Sequence, residues 1–143
     1  MLDIKKDIIY NKFNNNTIEL SIDSRTINTI ILAAGVFKNY LKEELVNGNS
    51  LSLRNDIKRV ERVLRELVMI KNNNDIEGNL NINITIAEFL IFKYVLNSVI
   101  GLVVSLELED SRTIGYYDFL MHLDEKYNLL DNKEIEMYYE FLS

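Results

Sequence analysis

The sequence contains no cysteine, no proline and no tryptophan, and one histidine among its 143 residues. The lack of cysteine excludes disulfide frameworks, thiolate zinc sites, iron–sulfur clusters and cysteine nucleophiles. The lack of proline means that capping residues and glycines must end the helices. The five glycines never approach the spacing of a phosphate-binding loop. These absences give no reason to predict a cofactor, and they favour a protein that is not an enzyme.

The composition is that of an ordinary globular domain, with 48% hydrophobic and 27% charged residues. A chain of this length predicts a single domain over residues 1–143. The first residues carry acids and lack the apolar stretch of a signal peptide, so we expect a cytoplasmic location. The longest apolar run, residues 89–106, is interrupted by Lys93 and Asn97. Because polar residues are costly inside a bilayer, we interpret this run as a buried helix rather than a membrane span.

The periodicity of the sequence predicts an α+β fold, dominated by helices, with a small two- or three-stranded sheet. Apolar and polar residues alternate in 17–22 and 80–84, as they do in half-buried strands. Residues 7–13 are predicted to form another strand, joined to the first through the asparagines at 14–16. This gives a predicted hairpin over residues 7–22.

Apolar residues at helical spacing predict a helical hairpin over 24–70 and three further helices over 86–106, 113–127 and 133–142. Asp23 or Ser24 is the expected cap of the first helix. Thr85 and Glu88 have the spacing of a capping box before the long apolar helix, and Asp131 is expected to cap the last helix.

A weak internal repeat accompanies these elements. Residues 18–34 resemble residues 80–96 at a constant offset of 62 positions, each reading as an alternating strand, a polar cap and an amphipathic helix. The repeat predicts a pseudo-duplicated β-α-α unit with an added C-terminal helix. The general similarity of any strand, cap and helix over twenty residues explains it equally well.

The single histidine, His122, has Asp118 one helical turn before it. An imidazole oriented by a carboxylate can act as a general base. A metal site, however, usually needs three or four ligands, and no serine nucleophile lies nearby in the sequence. We therefore interpret the pair as part of an ordinary surface helix and predict no catalytic or metal-ligating residue.

Charge is distributed unevenly along the chain. Residues 1–74 hold twelve Lys and Arg against nine Asp and Glu, whereas residues 75–143 hold four against thirteen. Tyrosines are interspersed with the acids of the second half. An acidic surface that presents tyrosines suits a basic protein partner, because tyrosine supplies contact area and the acids steer association. The predicted partner-binding residues are Glu107, Glu109, Asp110, Tyr116, Tyr117, Asp118, Asp124, Glu125, Glu134, Glu136, Tyr138, Tyr139 and Glu140.

These patterns predict a small acidic protein-binding module, in concrete form a stoichiometric inhibitor of a basic nucleic-acid-handling protein. Examples are an immunity protein and a phage-encoded antagonist of a host defence nuclease, in which carboxylates take the place of phosphates. One alternative is a nucleic-acid-binding regulator that uses the basic helix over residues 54–71. The acidic residues of that helix can instead pair with its basic ones, Arg62 with Glu66 for example. The pI of the whole chain, near 4.8, also makes nucleic acid an unlikely partner. The other alternative is a scaffold protein that self-associates, as a homodimer for instance, through the helix at 89–106.

Overall fold

The computed structural model describes residues 2–48, 51–73, 78–105 and 111–142, and the surroundings of side chains over 4–48, 51–73, 78–99 and 115–142. Within these ranges the chain forms six helices and two strands. Their order is α1 (Leu2–Asn15), β1 (Thr17–Asp23), α2 (Ile27–Asn47), α3 (Leu51–Asn73), β2 (Asn79–Thr85), α4 (Ile86–Ser105), α5 (Ser111–Asn128) and α6 (Asn132–Leu142). The predicted class, a helix-dominated α+β fold with a small sheet, is confirmed.

The sheet consists of β1 and β2, which pair antiparallel with Leu20 opposite Ile82 at the centre. Alternate side chains of both strands are buried, so one face of the sheet lies on the core and the other faces outward. Two further backbone bonds extend the ladder, from Ser24 N–H to Gly78 O at 2.8 Å and from Ile86 N–H to Asn16 O at 3.0 Å. Gly78 has φ +132°, a conformation that favours glycine because a Cβ would be strained there.

The strand predicted over residues 7–13 is wrong, because these residues belong to α1. Ile9 and Phe13, four residues apart, are buried, whereas the intervening Tyr10 is exposed and Ile8 is 61% exposed. A strand would place Asn11 on the same face as Ile9 and Phe13, but Asn11 is exposed, so the pattern is that of a helix. The asparagines that follow end the helix instead of forming a hairpin turn, since the Asn16 N–H donates to the Lys12 carbonyl. The partner of β1 is therefore β2, more than fifty residues away in the sequence.

Helix α4 is the centre of the molecule and contacts α1, α2, α3, α5 and both strands. Its buried side chains are apolar apart from Glu88, and those described are Ile86, Ala87, Phe89, Leu90, Phe92, Val95, Leu96 and Val99. Lys93 and Asn97, which interrupt the apolar run, lie on the outward side of the helix. Among the described residues, no helix is long and apolar enough to cross a membrane.

The helix starts were predicted with mixed success. Helix α2 is capped at Thr26, with no side-chain cap hydrogen bond, so the prediction of Asp23 or Ser24 is wrong. Asp23 instead accepts the Arg25 N–H at 2.8 Å in the turn after β1. The other two caps are present. The Asp131 carboxylate accepts the N–H groups of the first turn of α6, Lys133 at 2.9 Å among them. The other predicted cap that is present is the capping box of Thr85 and Glu88 at the start of α4.

In that capping box, the Glu88 N–H donates to Thr85 Oγ1 at 3.0 Å and the Thr85 N–H donates to Glu88 Oε1 at 2.7 Å. Arg62 of α3 completes the arrangement, donating through Nε and Nη2 to the two oxygens of the Glu88 carboxylate. Burial alone would raise the pKa of Glu88, but the hydrogen bonds from Arg62 and Thr85 outweigh it and hold that pKa below its ordinary value.

The internal repeat coincides with the topology. Strands β1 and β2 have the same length and lie 62 residues apart, and each is followed by two helices. The two copies differ at the first helix, because residues 24–26 separate β1 from α2 whereas α4 begins directly after β2. The β-α-α order therefore occurs twice in the described residues, and its origin by duplication stays a prediction.

Candidate functional site

The predicted acidic surface is divided by the fold rather than gathered into one face. Asp118 lines a polar pocket beside β1, while Asp124 of the same helix reaches the opposite side to pair with Lys93 at 3.2 Å. On α6, Glu136 and Glu140 are exposed, and Glu134 pairs with Lys12 of α1 at 2.8 Å. Glu125 is exposed. Three further predicted residues lie outside the described part of the chain: Glu107, Glu109 and Asp110.

The four predicted tyrosines are two pairs of sequence neighbours, Tyr116 with Tyr117 and Tyr138 with Tyr139, and one member of each pair is exposed. Tyr117 and Tyr139 are exposed, as a partner-binding role requires. Tyr116 is fully buried and its hydroxyl donates to the Leu96 carbonyl. Tyr138 is also buried and stacks on Phe13, with ring centroids 4.7 Å apart. The prediction that Tyr116 and Tyr138 form part of an exposed face is therefore wrong, because consecutive helical residues point about 100° apart and only one of each pair faces outward.

A groove lies along the outward side of α4, bounded by α6, the C-terminal half of α5 and the start of α3. We call it the tyrosine groove. It consists of two adjoining cavities of about 420 and 350 Å³, which share Leu90, Tyr94 and Tyr139. The first is also lined by Ser52, Asp56, Ala87, Ile91, Tyr138 and Leu142, and the second by Lys93, Asn97, Ser98 and Tyr127.

The two exposed tyrosines of the groove are held by packing behind them. Tyr94 is 58% exposed and meets Phe37 of α2 edge to face, with centroids 5.9 Å apart. Tyr139 is 50% exposed and meets the buried ring of Tyr138 edge to face at 5.9 Å. Rings supported in this way present apolar area at low entropic cost, which is why tyrosine is frequent at binding surfaces.

The charged groups of the groove differ at its two ends. At one end the Lys93 amine lies 4.8 Å above the Tyr127 ring and pairs with Asp124, so its charge is neutralised. At the other end Asp56 is partly buried and pairs with Arg59 at 3.3 Å. Burial raises the pKa of Asp56 by more than Arg59 lowers it. Asp56 and Arg59 nevertheless form an ion pair, so the charge of this carboxylate is matched by its neighbour.

Sequence reasoning missed the contributions of Tyr94 and Asp56 to this site. A signal for Tyr94 was present, since Tyr94 and Ser98 are four residues apart, as are Lys93 and Asn97. Both pairs mark the outward side of an otherwise apolar helix. Asp56 gave no such signal, because acids interspersed with the lysines and arginines of a helix are typical of a solvated surface.

The polar pocket beside β1 has a volume of about 470 Å³ and contains His122. The Ser21 N–H donates to His122 Nε2 at 3.2 Å, so this ring nitrogen closes the outer edge of β1. Burial lowers the pKa of His122, consistent with the neutral ring that this bond requires. Asp23, which also lines the pocket, is bound by Arg25 at 3.0 Å. These contacts give His122 and Asp23 structural roles beside β1.

The basic helix α3 does not present an uninterrupted row of cations. Arg62 is bound by Glu88 and also lies 3.4 Å from Glu66, the pairing expected from their spacing. Arg59 is bound by Asp56, and its second nitrogen donates to Asn14 at 3.1 Å. A phosphate contact needs a guanidinium with donors to spare, so these contacts weaken the case for a nucleic-acid surface on α3.

Within the described residues, no group of three or more histidine, aspartate or glutamate side chains could hold a metal ion. Comparison of the chain with protein-family models, with curated proteins and with solved structures finds no match. The geometry of the tyrosine groove therefore carries the functional argument.

Proposed function

We propose that this protein is a binding module that holds a basic segment of a partner protein in the tyrosine groove. The observation that carries the proposal is the pairing of two exposed, well-supported rings, Tyr94 and Tyr139, over an apolar floor, with Tyr139 in the acidic C-terminal part of the chain. Residues 111–142 contain seven Asp and Glu against three Lys and Arg. Such a surface attracts a cationic partner over a distance and buries aromatic area on contact.

The tyrosine groove is smaller than the acidic face expected from the sequence. The two exposed acids on α6 support it: Glu136 precedes Tyr139 by one helical turn and Glu140 follows it directly. Asp118 and Tyr117 lie outside the lining of the groove. If the groove binds the partner, replacing Tyr139 should weaken binding, whereas replacing Tyr117 should not. These two variants therefore test the proposal.

The inhibitor role remains part of the proposal. A protein that covers the basic surface of a nucleic-acid-handling partner blocks the phosphate contacts of that partner, since affinity for nucleic acid depends on its lysines and arginines. The lack of cysteine suits a reducing compartment, and we place this activity in the cytoplasm. Self-association through α4 is less well supported, because the apolar side chains of α4 that the structure describes are largely buried in the core.

The test is affinity capture from lysate of the source cell, followed by purified binding measurements on any basic protein retained. Tyr139→Ala and Tyr94→Ala should each weaken binding by about 2 kcal/mol, or roughly thirtyfold in Kd, the cost typical of a central aromatic residue. Tyr117→Ala is the matched control and should leave Kd within about twofold, because an aromatic ring away from the contact contributes little. Binding should also weaken as salt increases.

Equal effects of Tyr139→Ala and Tyr117→Ala would reject the groove as the binding site. Capture of nucleic acid in place of protein would favour the alternative regulator. If the captured partner is a nuclease, its activity should fall to the background at a one-to-one ratio with the wild-type protein and recover with Tyr139→Ala. Full nuclease activity at saturating wild-type protein would reject the inhibitor role and leave the binding role standing.

A further inference from the structure

The two-stranded sheet has two outer edges, and the hydrogen bonds of its ladder determine which backbone groups lie on them. In an antiparallel pair, the N–H and C=O groups of every second residue point away from the partner strand. The bonds that close the ladder join Ser24 to Gly78 at one end and Ile86 to Asn16 at the other. The groups that point outward therefore belong to residues 17, 19, 21 and 23 of β1 and to residues 79, 81, 83 and 85 of β2.

The outer edge of β1 is covered, whereas that of β2 is open. On β1, the outward Ser21 N–H donates to His122 of α5. On β2, the outward backbone groups of Asn79, Asn81 and Asn83 make no hydrogen bond to any residue that the structure describes. All three asparagines are exposed. Because folded proteins rarely bury unpaired backbone groups, this edge is available to a partner from solution.

Nothing in the sequence of β2 protects its open edge. Proteins usually block a free edge with charged side chains, a proline or a bulge. The strand Asn79–Thr85 contains neither a charged residue nor a proline, and its 7 residues pair with β1 at consecutive positions without a bulge. The whole chain has a net charge of −6, so two copies repel each other in general. An uncharged strand allows them to meet without placing like charges opposite one another.

We propose that β2 pairs antiparallel with β2 of a second copy of this chain, which joins the two sheets into one sheet of four strands. This inference is independent of the tyrosine groove. With the two-fold axis at Asn81, this residue faces its own copy, and Asn79 faces Asn83 of the partner subunit. Each such pair exchanges both of its N–H···O=C bonds. An axis at Asn83 would instead require Thr85, whose N–H already donates to Glu88, so Asn81 is the favoured centre.

An identical strand fits this edge better than an extended peptide of another protein. A peptide added to a sheet edge is usually selected by pockets for its alternate side chains. The outward side chains of β2 are instead three exposed amides in a row, at positions 79, 81 and 83. An amide both donates and accepts hydrogen bonds, so an asparagine is complementary to its own copy. Since the pairing of strands alone makes a small interface, we expect a dimer that forms at high protein concentration.

The first experiment is sedimentation equilibrium of the full-length protein up to about 1 mM, where a complex with a Kd of that order is substantially formed. The mass should rise from 16.7 kDa towards twice that value. Asn81→Lys and Asn81→Asp should each stay monomeric, because like charges then face each other across the axis. An equimolar mixture of these two variants should dimerise again. Glu19→Lys, on the exposed side of β1, is the matched control and should still dimerise.

The lack of cysteine in the chain allows a second, more local measurement. Asn81→Cys places one thiol on each side of the axis, with the Cα atoms about 5.5 Å apart. A short bifunctional thiol reagent should therefore link two chains of this variant. Glu19→Cys is the control. Its two copies lie on the outermost strands of the four-stranded sheet, at least about 14 Å apart, and should be linked only at the background level.

The possible outcomes either support the pairing of the two β2 strands or overturn it. A wild-type mass that stays at 16.7 kDa up to the highest concentration would overturn it. So would a dimer that survives Asn81→Lys, or one that is linked as readily through Glu19→Cys as through Asn81→Cys. Failure of the mixed Asn81 variants to dimerise would overturn the axis at Asn81. A monomeric wild type whose capture of another protein is lost in Asn81→Lys would assign the edge to an extended segment of that protein.

The variants at position 81 are expected to fold, so a loss of dimer can be ascribed to the edge. The Asn81 side chain is exposed, and its backbone groups point away from β1. Substitution there therefore removes no bond of the ladder between β1 and β2. Circular dichroism spectra and melting curves of Asn81→Lys and Asn81→Asp should match those of the wild type at low protein concentration.

Discussion

Replacing Arg62 by methionine should lower the free energy of unfolding by about 3 kcal/mol, the low end of the cost of leaving one member of a buried ion pair alone. The Glu88 side chain is 5% exposed, and the Arg62 guanidinium provides two of the hydrogen bonds to its carboxylate. The Thr85 N–H remains after the substitution, but one backbone donor does not balance a buried charge. The low end applies because Arg62 is itself 38% exposed, so water reaches part of the site.

The converse variant, Glu88→Gln, should cost less, about 1–2 kcal/mol for the loss of a charged hydrogen bond. A glutamine oxygen can still accept the Thr85 N–H, so the capping box survives. Arg62 can then turn to Glu66, 3.4 Å away, and to solvent. The unequal cost of the two variants identifies Glu88 as the buried partner of the pair.

Chemical unfolding followed by circular dichroism at pH 7 measures both costs. Arg65→Met on the exposed side of the same helix is the control and should change stability by about 0.5 kcal/mol or less. Equal costs for Arg62→Met and Arg65→Met would show that the contact between Arg62 and Glu88 does not stabilise the fold. The pH dependence gives a second check. Because the pKa of Glu88 is lowered on folding, the stabilisation is present above its ordinary value of 4.5 and lost as pH falls through the lower folded value. The advantage of wild type over Glu88→Gln should therefore shrink below pH 4.5.

Two further predictions concern the packing of α5. A methyl group on Gly115 would overlap Thr26 Oγ1 and lie 3.2 Å from its Cβ, so Gly115→Ala should lower stability by about 1–3 kcal/mol in thermal unfolding. A Cβ at Gly35 in α2 would meet nothing within 4 Å, so Gly35→Ala should raise stability by up to about 1 kcal/mol. A loss of stability at Gly35 as large as that at Gly115 would rule out the steric explanation. Because burial lowers the pKa of His122 on folding, the stability that it contributes is present above 6.5 and lost as pH falls through the lower folded value. His122→Gln keeps an acceptor for the Ser21 N–H and should flatten the stability profile between pH 7 and pH 5, whereas parallel profiles would show that His122 does not titrate there.

The features predicted correctly from the sequence are those set by neighbouring residues. Thr85 and Glu88 form a capping box because their three-residue spacing places each side chain against the backbone of the other. The alternation in residues 17–22 and 80–84 required strands with one buried face. The apolar run at 89–106 required a helix surrounded by other elements. In each case the physical cause acts over one or two turns of the chain, so the sequence by itself determined the element.

Features that depend on distant contacts were decided by the tertiary structure. The segment 7–13 is short and its sequence is compatible with a strand or a helix, but Asn11 is exposed between the buried Ile9 and Phe13, as only a helix allows. The pairing of β1 with β2 joins residues more than fifty positions apart, which no local pattern specifies. The same holds for the site, because helical spacing alone could not say which of Tyr138 and Tyr139 faces solvent.

An acidic, helix-dominated α+β protein with tyrosines in its C-terminal third follows from the sequence alone. The packing of the helices brings Tyr94, Tyr139 and Asp56, drawn from α4, α6 and α3, into one groove. The same packing places Arg62 against Glu88 of the capping box of α4. Local periodicity fixes the face on which a side chain lies, and the packing of helices against one another fixes what that face meets.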